Sequence, residues 1–285
     1  MLVLSIAAAA ALFSGYQALG RTPMQVLDYV DVRLEGHPKL EFVAHPVTAL
    51  VRESLHAPTA AQRRDLPMEI PPPPPRRGPT QILPAASSPP GGRVWRVGPN
   101  GPLLRIADAA RQAADGDVVE IEAGDYRQEV AVWNQKRLTI RGVNGAARLF
   151  SDGRVAEGKA IWVLRNGDFD ISNIDFIGAT AEDSNGAGIR FEGGTLHLRG
   201  CLFWGNQMGL MTGGEETMRT ATLLVEFSEF GYSRVLGRWG HNLYVGSVAS
   251  LTVQFSHLHH AGVGHLIKSR AQRNAILYNR LTDET

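Results

Sequence analysis

Two short segments near the C-terminal end of the chain repeat each other and bring together side chains that can move protons. The segments are "GHNLYVG" and "GHLIKS", and they place His241 and His265 at equivalent positions, three residues before Tyr244 and Lys268. Imidazole, phenol and amine groups are common general acids and bases in enzymes. The repeated segment is therefore a candidate reacting centre.

A ladder of aliphatic residues in the same region predicts which way these side chains face. The ladder consists of Ile161, Ile189, Leu210, Leu243 and Ile267. Side chains alternate between the two faces of a strand. If the ladder points inward, the residues that follow its members point outward. The predicted outward set is Arg190, Met211, Tyr244 and Lys268.

Four further residues extend this predicted outer face. Glu192 and Asn242 each lie two residues from a member of the outward set, and Arg270 lies two residues after Lys268. Trp162, which follows Ile161, aligns with the set and is the tryptophan best placed to stack on a sugar ring. We expect five residues to contact a substrate, namely Arg190, Glu192, Asn242, Trp162 and His241.

A longer repeat indicates the element that would position these residues. An aliphatic residue is followed five positions later by a large apolar residue, and this pair recurs every 23 to 28 residues. The pairs are Ile171/Phe176, Leu198/Phe203, Val225/Phe230, Val253/Leu258 and Ile276/Leu281. A strand-like repeat of this length predicts an all-β solenoid, in which each coil stacks on the next. A site would then lie on a long outer face that crosses several coils.

The composition fits this fold and excludes some functions. The chain has 285 residues, of which 44% are hydrophobic, so it can form a large core. Its formal net charge of +1 gives no sign of a nucleic-acid partner, and we predict none. Cys201 is the only cysteine, which excludes an internal disulfide.

The chain divides into four predicted parts. Residues 1–20 are apolar and suit a signal peptide or a membrane anchor, and residues 21–66 suggest a short helical segment. Residues 67–92 form a Pro-rich linker that contains five consecutive prolines, which favours a semi-rigid spacer. Residues 93–285 hold the solenoid, which we expect to be incomplete at its C-terminus. We predict an exported protein that is periplasmic, secreted or at the cell surface, with a possible membrane tether.

The start of the solenoid resembles a known superfamily. The segment "VGPNGPLLRIADAARQAADGDVVEIEAGDYRQEVAVWNQKRLTIRGVNG" is similar to the opening of right-handed parallel β-helix proteins of the pectin lyase-like superfamily. The resemblance continues through "FDISNIDFIG", "LHLRGCLFWGN" and "LTVQFSHLHH". It implies a right-handed parallel β-helix whose N-terminal α-helix caps the open end. It also implies a groove for an extended polymer, although this fold carries several activities.

The residue types predicted for the outer face limit the reactions that the site could catalyse. Glycoside hydrolysis needs two carboxylic groups, and calcium-dependent elimination needs several carboxylates around the ion. The predicted face offers only Glu192. Elimination or epimerisation on a uronic acid instead needs a base and positive charge that neutralises the sugar carboxylate. The face therefore favours a lyase or an epimerase that acts on an acidic polysaccharide.

A second, shorter resemblance suggests roles for individual residues. The segment "IKSRAQRNAILYN" is similar to the pattern around the basic lysine of the alginate lyase and chondroitinase B family. On that resemblance Lys268 would accept the proton. Arg270 and Arg190 would neutralise the carboxylate, and Tyr244 or His265 would be the acid.

Other interpretations stay open. His241 and His265 could form a structural ladder on adjacent coils. His257, His259 and His260 could bind a metal ion, but their spacing matches no known zinc pattern, so we predict no metal and no cofactor. The whole chain could instead be a non-catalytic carbohydrate-binding or surface-structural solenoid.

Overall fold

The computed structural model describes the solenoid almost completely. The described residues are 27, 46, 48–49, 51, 70–75, 92–213, 216–233, 240–262 and 264–282. The predicted signal or anchor (1–20), most of the helical segment (21–66) and most of the linker (67–92) lie outside the described residues. Among the described residues, no helix has the length and apolar character needed to cross a membrane. The chain forms two compact units, Met1–Pro67 and Met68–Thr285.

The second unit contains an all-β parallel solenoid of about seven turns, which confirms the predicted fold class. Each full turn passes through three walls of parallel strands. Wall 1 contains β1 (Val94–Val97), β2 (Val118–Arg127), β4 (Arg137–Phe150), β6 (Gly167–Ser172), β9 (Gly194–Arg199), β12 (Thr222–Glu226), β15 (Ser250–Gln254) and β18 (Arg273–Leu277).

The other two walls follow in chain order within each turn. Wall 2 contains the C-terminal halves of β2 and β4, then β7 (Ile174–Ile177), β10 (Leu202–Trp204), β13 (Glu229–Gly231), β16 (His257–His259) and β19 (Arg280–Thr282). Wall 3 contains β3 (Ala131–Trp133), β5 (Ala160–Leu164), β8 (Ala187–Phe191), β11 (Met208–Thr212), β14 (His241–Val245) and β17 (His265–Ser269).

Strand pairing confirms the long repeat read from the sequence. On wall 1, Ile171 pairs with Leu198, and Leu198 pairs with Val225. On wall 2, Phe203 pairs with both Phe176 and Phe230. Each member therefore returns to the same place one turn later, as a stacked coil requires.

The short aliphatic ladder is confirmed on β8, β11, β14 and β17, but on β5 the predicted member is wrong by one residue. Leu210 pairs with Ile189 and Leu243, whereas Ile189 pairs with Trp162 instead of Ile161. All five residues of β5 are apolar and buried. Polarity therefore carried no information about which of them face inward, and a shift of one residue exchanges the faces.

A column of aromatic rings fills the interior. Its members are Trp133, Trp162, Phe176, Phe203 and Phe230, with successive ring centroids 5.4, 5.1, 4.9 and 4.3 Å apart. Edge-to-face and stacked pairs at these distances stabilise a core beyond their buried area. Trp162 is thus part of the core, and its predicted place on the outer face is wrong.

The predicted helix is present as α1 (Ile106–Gln112), and its apolar face joins this core. Ile106, Ala109 and Ala110 are buried in the main apolar cluster. The Gln135 side chain donates hydrogen bonds from Nε2 to the carbonyl oxygens of Ala110 and Ala113, at 3.0 and 2.9 Å. Because these carbonyls belong to the last turn of α1 and its C-cap, the two bonds fix the helix end against the strand connection that follows β3.

The described part of the Pro-rich segment contacts wall 2. The indole Nε1 of Trp204 donates a 2.8 Å hydrogen bond to the carbonyl oxygen of Pro71. Trp204 lies in an outer apolar cluster with Ile177 and Leu202. Residues 70–75 are therefore attached to the solenoid surface, while a spacer role for the rest of the linker stays a prediction.

Candidate functional site on the outer face of wall 3

The predicted outward set forms a continuous line across wall 3. Met211 pairs with both Arg190 and Tyr244, and Tyr244 pairs with Lys268. Neighbouring strands in a sheet lie about 4.8 Å apart. The line therefore crosses β8, β11, β14 and β17 with one side chain per turn.

Positive charge gathers at the β17 end of this line. The Lys268 ammonium lies 4.5 Å from the centroid of the Tyr244 ring, which is a cation–π contact. Arg270 is exposed, and its backbone N–H donates to the carbonyl oxygen of Val245 at 2.9 Å. That hydrogen bond holds Arg270 beside the end of β14, two residues beyond Lys268.

The two equivalent histidines stack on adjacent turns, as the repeated segment predicts. His241 Nδ1 accepts a 3.0 Å hydrogen bond from the backbone N–H of His265 and lies 3.3 Å from His265 Nδ1. The His241 ring centroid is 5.2 Å from that of Tyr244. Because Nδ1 of His241 is an acceptor, the proton of its neutral imidazole belongs on Nε2.

Burial of the ring, almost complete for His241 and partial for His265, and the nearby Lys268 charge favour the neutral form of both imidazoles. Burial, together with His265 and the Lys268 ammonium, lowers the pKa of His241 to about 3. Partial burial of the ring, and then the Lys268 charge, also lower the pKa of His265. His241 is only 2% exposed, whereas His265 is open to solvent. His265 is therefore the imidazole that a substrate can reach, and it is in the form that accepts a proton.

Glu192 belongs to a separate ion-pair network at the other end of the line. Its carboxylate accepts hydrogen bonds from Arg165 Nε at 2.9 Å and Lys159 Nζ at 3.2 Å, and lies 3.6 Å from Arg190 Nε. Burial alone would raise the pKa of Glu192, but the hydrogen bonds from Arg165 and Lys159 lower it. Glu192 is therefore an ionised partner of these cations.

The separation between the two ends changes the predicted role of Arg190. β8 and β17 are three strand spacings apart, or about 14 Å, and Arg190 is already paired with Glu192. One sugar carboxylate held by Lys268 would not also be neutralised by Arg190. Arg190 and Lys268 therefore do not converge on one point of wall 3.

The prediction that Asn242 lies beside Tyr244 on the outer face is wrong. Its side chain is completely buried, and Nδ2 donates to the carbonyl oxygens of Phe230 and His259 at 3.2 and 2.9 Å. Asn242 and Leu243 are both 0% exposed. Strict alternation therefore fails at this point of β14, because two consecutive residues are taken into the interior.

Trp162 cannot stack on a sugar, because its ring is 0% exposed between Trp133 and Phe176. The outward residue of β5 is Val163, which pairs with Arg190. Val163 belongs to a small apolar cluster outside the wall. β5 therefore presents no aromatic ring that could take the sugar-stacking role predicted for Trp162.

Sequence reasoning missed a charged cluster on the outer face of wall 1. His197 Nε2 lies 2.7 Å from Glu226 Oε2, and His197 Nδ1 lies 3.6 Å from Asp170 Oδ2. The hydrogen bond to Asp170 raises the pKa of His197. Burial lowers this pKa, but the hydrogen bond to Glu226 also raises it, and the net shift is upward. The 27-residue repeat could have found this cluster, because Asp170 pairs with His197, and Arg199 with Glu226.

The described residues contain one group that could hold a metal ion, and it lies on wall 2. It consists of Glu229, His257 and His259. No such group occurs on the described part of wall 3.

The fold and this site define a parallel β-solenoid with a cationic and aromatic patch at one end of an outer wall. Comparisons of the chain with protein-family models, curated proteins and solved structures gave no match. Strand pairing alone shows the solenoid. The resemblances to the pectin lyase-like superfamily and to the alginate lyase and chondroitinase B family stay predictions.

Proposed function

We propose that the protein binds an acidic polysaccharide along the outer face of wall 3 and abstracts the proton next to a uronate carboxylate, as a lyase or an epimerase. The observation that carries this proposal is the convergence of four groups on β14 and β17, namely Tyr244, Lys268, His241 and His265. A cation, a phenol and a neutral imidazole together meet the needs of this reaction. An exported location, which stays a prediction, would suit such a substrate.

The geometry supports a division of labour that differs from the family resemblance. The Lys268 ammonium packs over the Tyr244 ring, and in this proposal it neutralises the sugar carboxylate together with Arg270. The neutral His265 imidazole accepts the proton from the carbon beside that carboxylate. In this proposal the base is His265 and not Lys268.

The same groups serve either reaction. In a lyase, the C–H electron pair forms a carbon–carbon double bond, the glycosidic C–O bond breaks, and the Tyr244 phenol protonates the leaving oxygen. In an epimerase, the Tyr244 phenol gives its proton to the opposite face of the same carbon, and the chain stays intact. Neither route needs an oxidant or a reductant.

A non-catalytic binding function is the second candidate, and one observation favours it. Most of the charged groups on wall 3 already have a partner within the protein. Lys268 contacts the Tyr244 ring, and Arg190 and Lys159 form ion pairs with Glu192. Fixed cations recognise carboxylates without further chemistry.

One experiment separates these functions. The protein is incubated with a panel of uronate polymers, while ultraviolet absorbance follows unsaturated chain ends and NMR follows sugar configuration. Unsaturated ends that disappear in His265→Gln support the lyase, and a changed configuration at constant chain length supports the epimerase. Binding that is lost in Lys268→Ala, without any product, supports the second candidate. Absence of both binding and product on every polymer overturns the proposal.

A further inference from the structure

We propose that Glu229, His257 and His259 form a binding site for a transition-metal ion of the Zn²⁺ type on the outer face of wall 2. One ligand atom from each residue lies within 4.8 Å of the other two. Two imidazoles and a carboxylate leave a fourth position open in a tetrahedral zinc site, and imidazole nitrogen favours Zn²⁺, Cu²⁺ or Ni²⁺ over Ca²⁺ and Mg²⁺. This site does not depend on the function proposed for wall 3.

Two neighbouring strands position the ligands. Glu229 on β13 pairs directly with His257 on β16, and the next pair, Phe230 and Leu258, points into the core. His259 follows Leu258 and therefore returns to the outer face. The three ligands thus stand on rigid strands on one side of the sheet, which holds them close together before an ion arrives.

The contacts between the ligands fit a shared ion. His259 Nε2 lies 3.1 Å from Glu229 Oε1, and the rings of His257 and His259 are stacked with centroids 4.3 Å apart. Two ligand atoms that each bind zinc at about 2.0–2.2 Å are separated by a little more than 3 Å in a tetrahedral site. The His259–Glu229 pair already has nearly this separation.

A glycine leaves the space that His259 needs. A Cβ atom at Gly231 would lie only 2.4 Å from Cε1 and 2.8 Å from Nε2 of the His259 ring. Any larger residue on β13 would therefore displace the imidazole. Gly231 lets His259 lie over the neighbouring strand, with its Nε2 toward Glu229.

Outer partners orient the two imidazoles. His260 Nδ1 lies 2.6 Å from His259 Nδ1, on the far side of the ring from Glu229, and Thr282 Oγ1 lies 3.0 Å from His257 Nε2. Hydrogen bonds of this kind fix the rings of metal-bound histidines. Trp204 also packs against His259, which is only 5% exposed. Displacement of water by the indole strengthens the electrostatic attraction for a cation.

The histidine on wall 1 provides a matched control, because it also has two acidic neighbours. Asp170 and Glu226 approach opposite nitrogens of the His197 ring, at 3.6 and 2.7 Å. Ligands on opposite sides of an imidazole cannot share one ion. His197→Gln therefore removes a carboxylate-paired histidine without touching the proposed site.

The test is titration of the chelator-treated full chain with Zn²⁺ by calorimetry and with Co²⁺ by visible absorption. We expect one ion per chain, with the absorption bands of low-symmetry Co²⁺. His257→Ala and Glu229→Gln each weaken binding by at least about tenfold. Gly231→Ala also weakens it although all ligands remain, and His197→Gln leaves it unchanged.

Two results would overturn the proposal. One is the absence of saturable Zn²⁺ binding to the unaltered chain. The other is binding that His257→Ala, Glu229→Gln and Gly231→Ala all leave unchanged. Circular dichroism of each variant shows whether it is folded. Because Glu229 is more exposed than His259, Glu229→Gln should disturb the fold least.

Discussion

The contact between Lys268 and Tyr244 decides which residue is suited to each role in the proposed reaction. A lysine acts as a base only when it is neutral, whereas the cation–π contact with the Tyr244 ring is one that the ammonium makes. Partial burial of the His265 ring and that same ammonium both lower the pKa of His265, which favours its neutral form. A single lysine can thus bind the carboxylate and maintain its neighbour as a base.

Lys268→Arg separates the two roles, because arginine keeps the charge and cannot act as a base. We expect this variant to lose less than about tenfold in rate, whereas His265→Gln should lose about 10²–10⁴-fold, the usual contribution of a general base. Initial rates on the best uronate polymer provide the measurement. The exposed Lys136→Ala is the control. A rate abolished in Lys268→Arg, with polymer affinity unchanged, would make Lys268 the base.

His241 should make stability depend on pH in the acidic range. Its pKa is about 3 in the folded chain against an ordinary value of 6.5. As pH falls below 6.5, the unfolded chain therefore binds a proton that the folded chain does not. The free energy of unfolding then falls by at most about 1.4 kcal/mol per pH unit from this group. Above pH 6.5 neither form is protonated and the full stability is present.

Urea unfolding of the unaltered chain and of His241→Gln at pH 7 and pH 5 measures this contribution. The glutamine can still accept a hydrogen bond but cannot titrate, so the variant should lose less stability between the two pH values. His197 has a raised pKa and the opposite effect, but it is present in both chains and cancels. Equal losses in the two chains would contradict the assignment.

At the scale of elements, the sequence predicted how the turns stack more reliably than it predicted which side chains of each strand face inward. Polar and apolar residues alternate clearly on wall 1, for instance over β9 and β15, so the register there could be read directly. On β5 every residue is apolar, which hid the inward position of Trp162. On β14 the buried Asn242 looked like a surface residue, because its backbone acceptors come from wall 2 and lie 12 and 17 residues away.

The correction at β5 leads to a direct test of core against surface. Trp162→Ala removes a ring from the aromatic column, and such truncations cost about 3–5 kcal/mol. We expect a large loss in unfolding free energy with little change in polymer affinity at temperatures where the variant is folded. Arg270→Ala should show the reverse pattern. Polymer binding that fails in folded Trp162→Ala would return this tryptophan to the substrate site.

At the scale of the whole molecule, three walls give the solenoid three outer faces with different chemistry. Wall 3 carries the cationic and aromatic patch, wall 2 the Glu229, His257 and His259 group, and wall 1 the cluster around His197. Because each turn contacts only its neighbours, changes on one wall should reach another wall mainly within the same or the next turn. Asn242 is such a link, since it starts on β14 and bonds to the backbone of His259.

The stacking of turns also has a mechanical consequence. Ile171 and Leu198 are neighbours across the sheet, yet 27 residues of chain separate them. If the molecule is held at its two ends and stretched, turns should peel away one after another. Each event then releases roughly 95 Å of extended chain, at up to 3.6 Å per residue. An optical trap would record a regular staircase, and a single rupture of the whole length would contradict it.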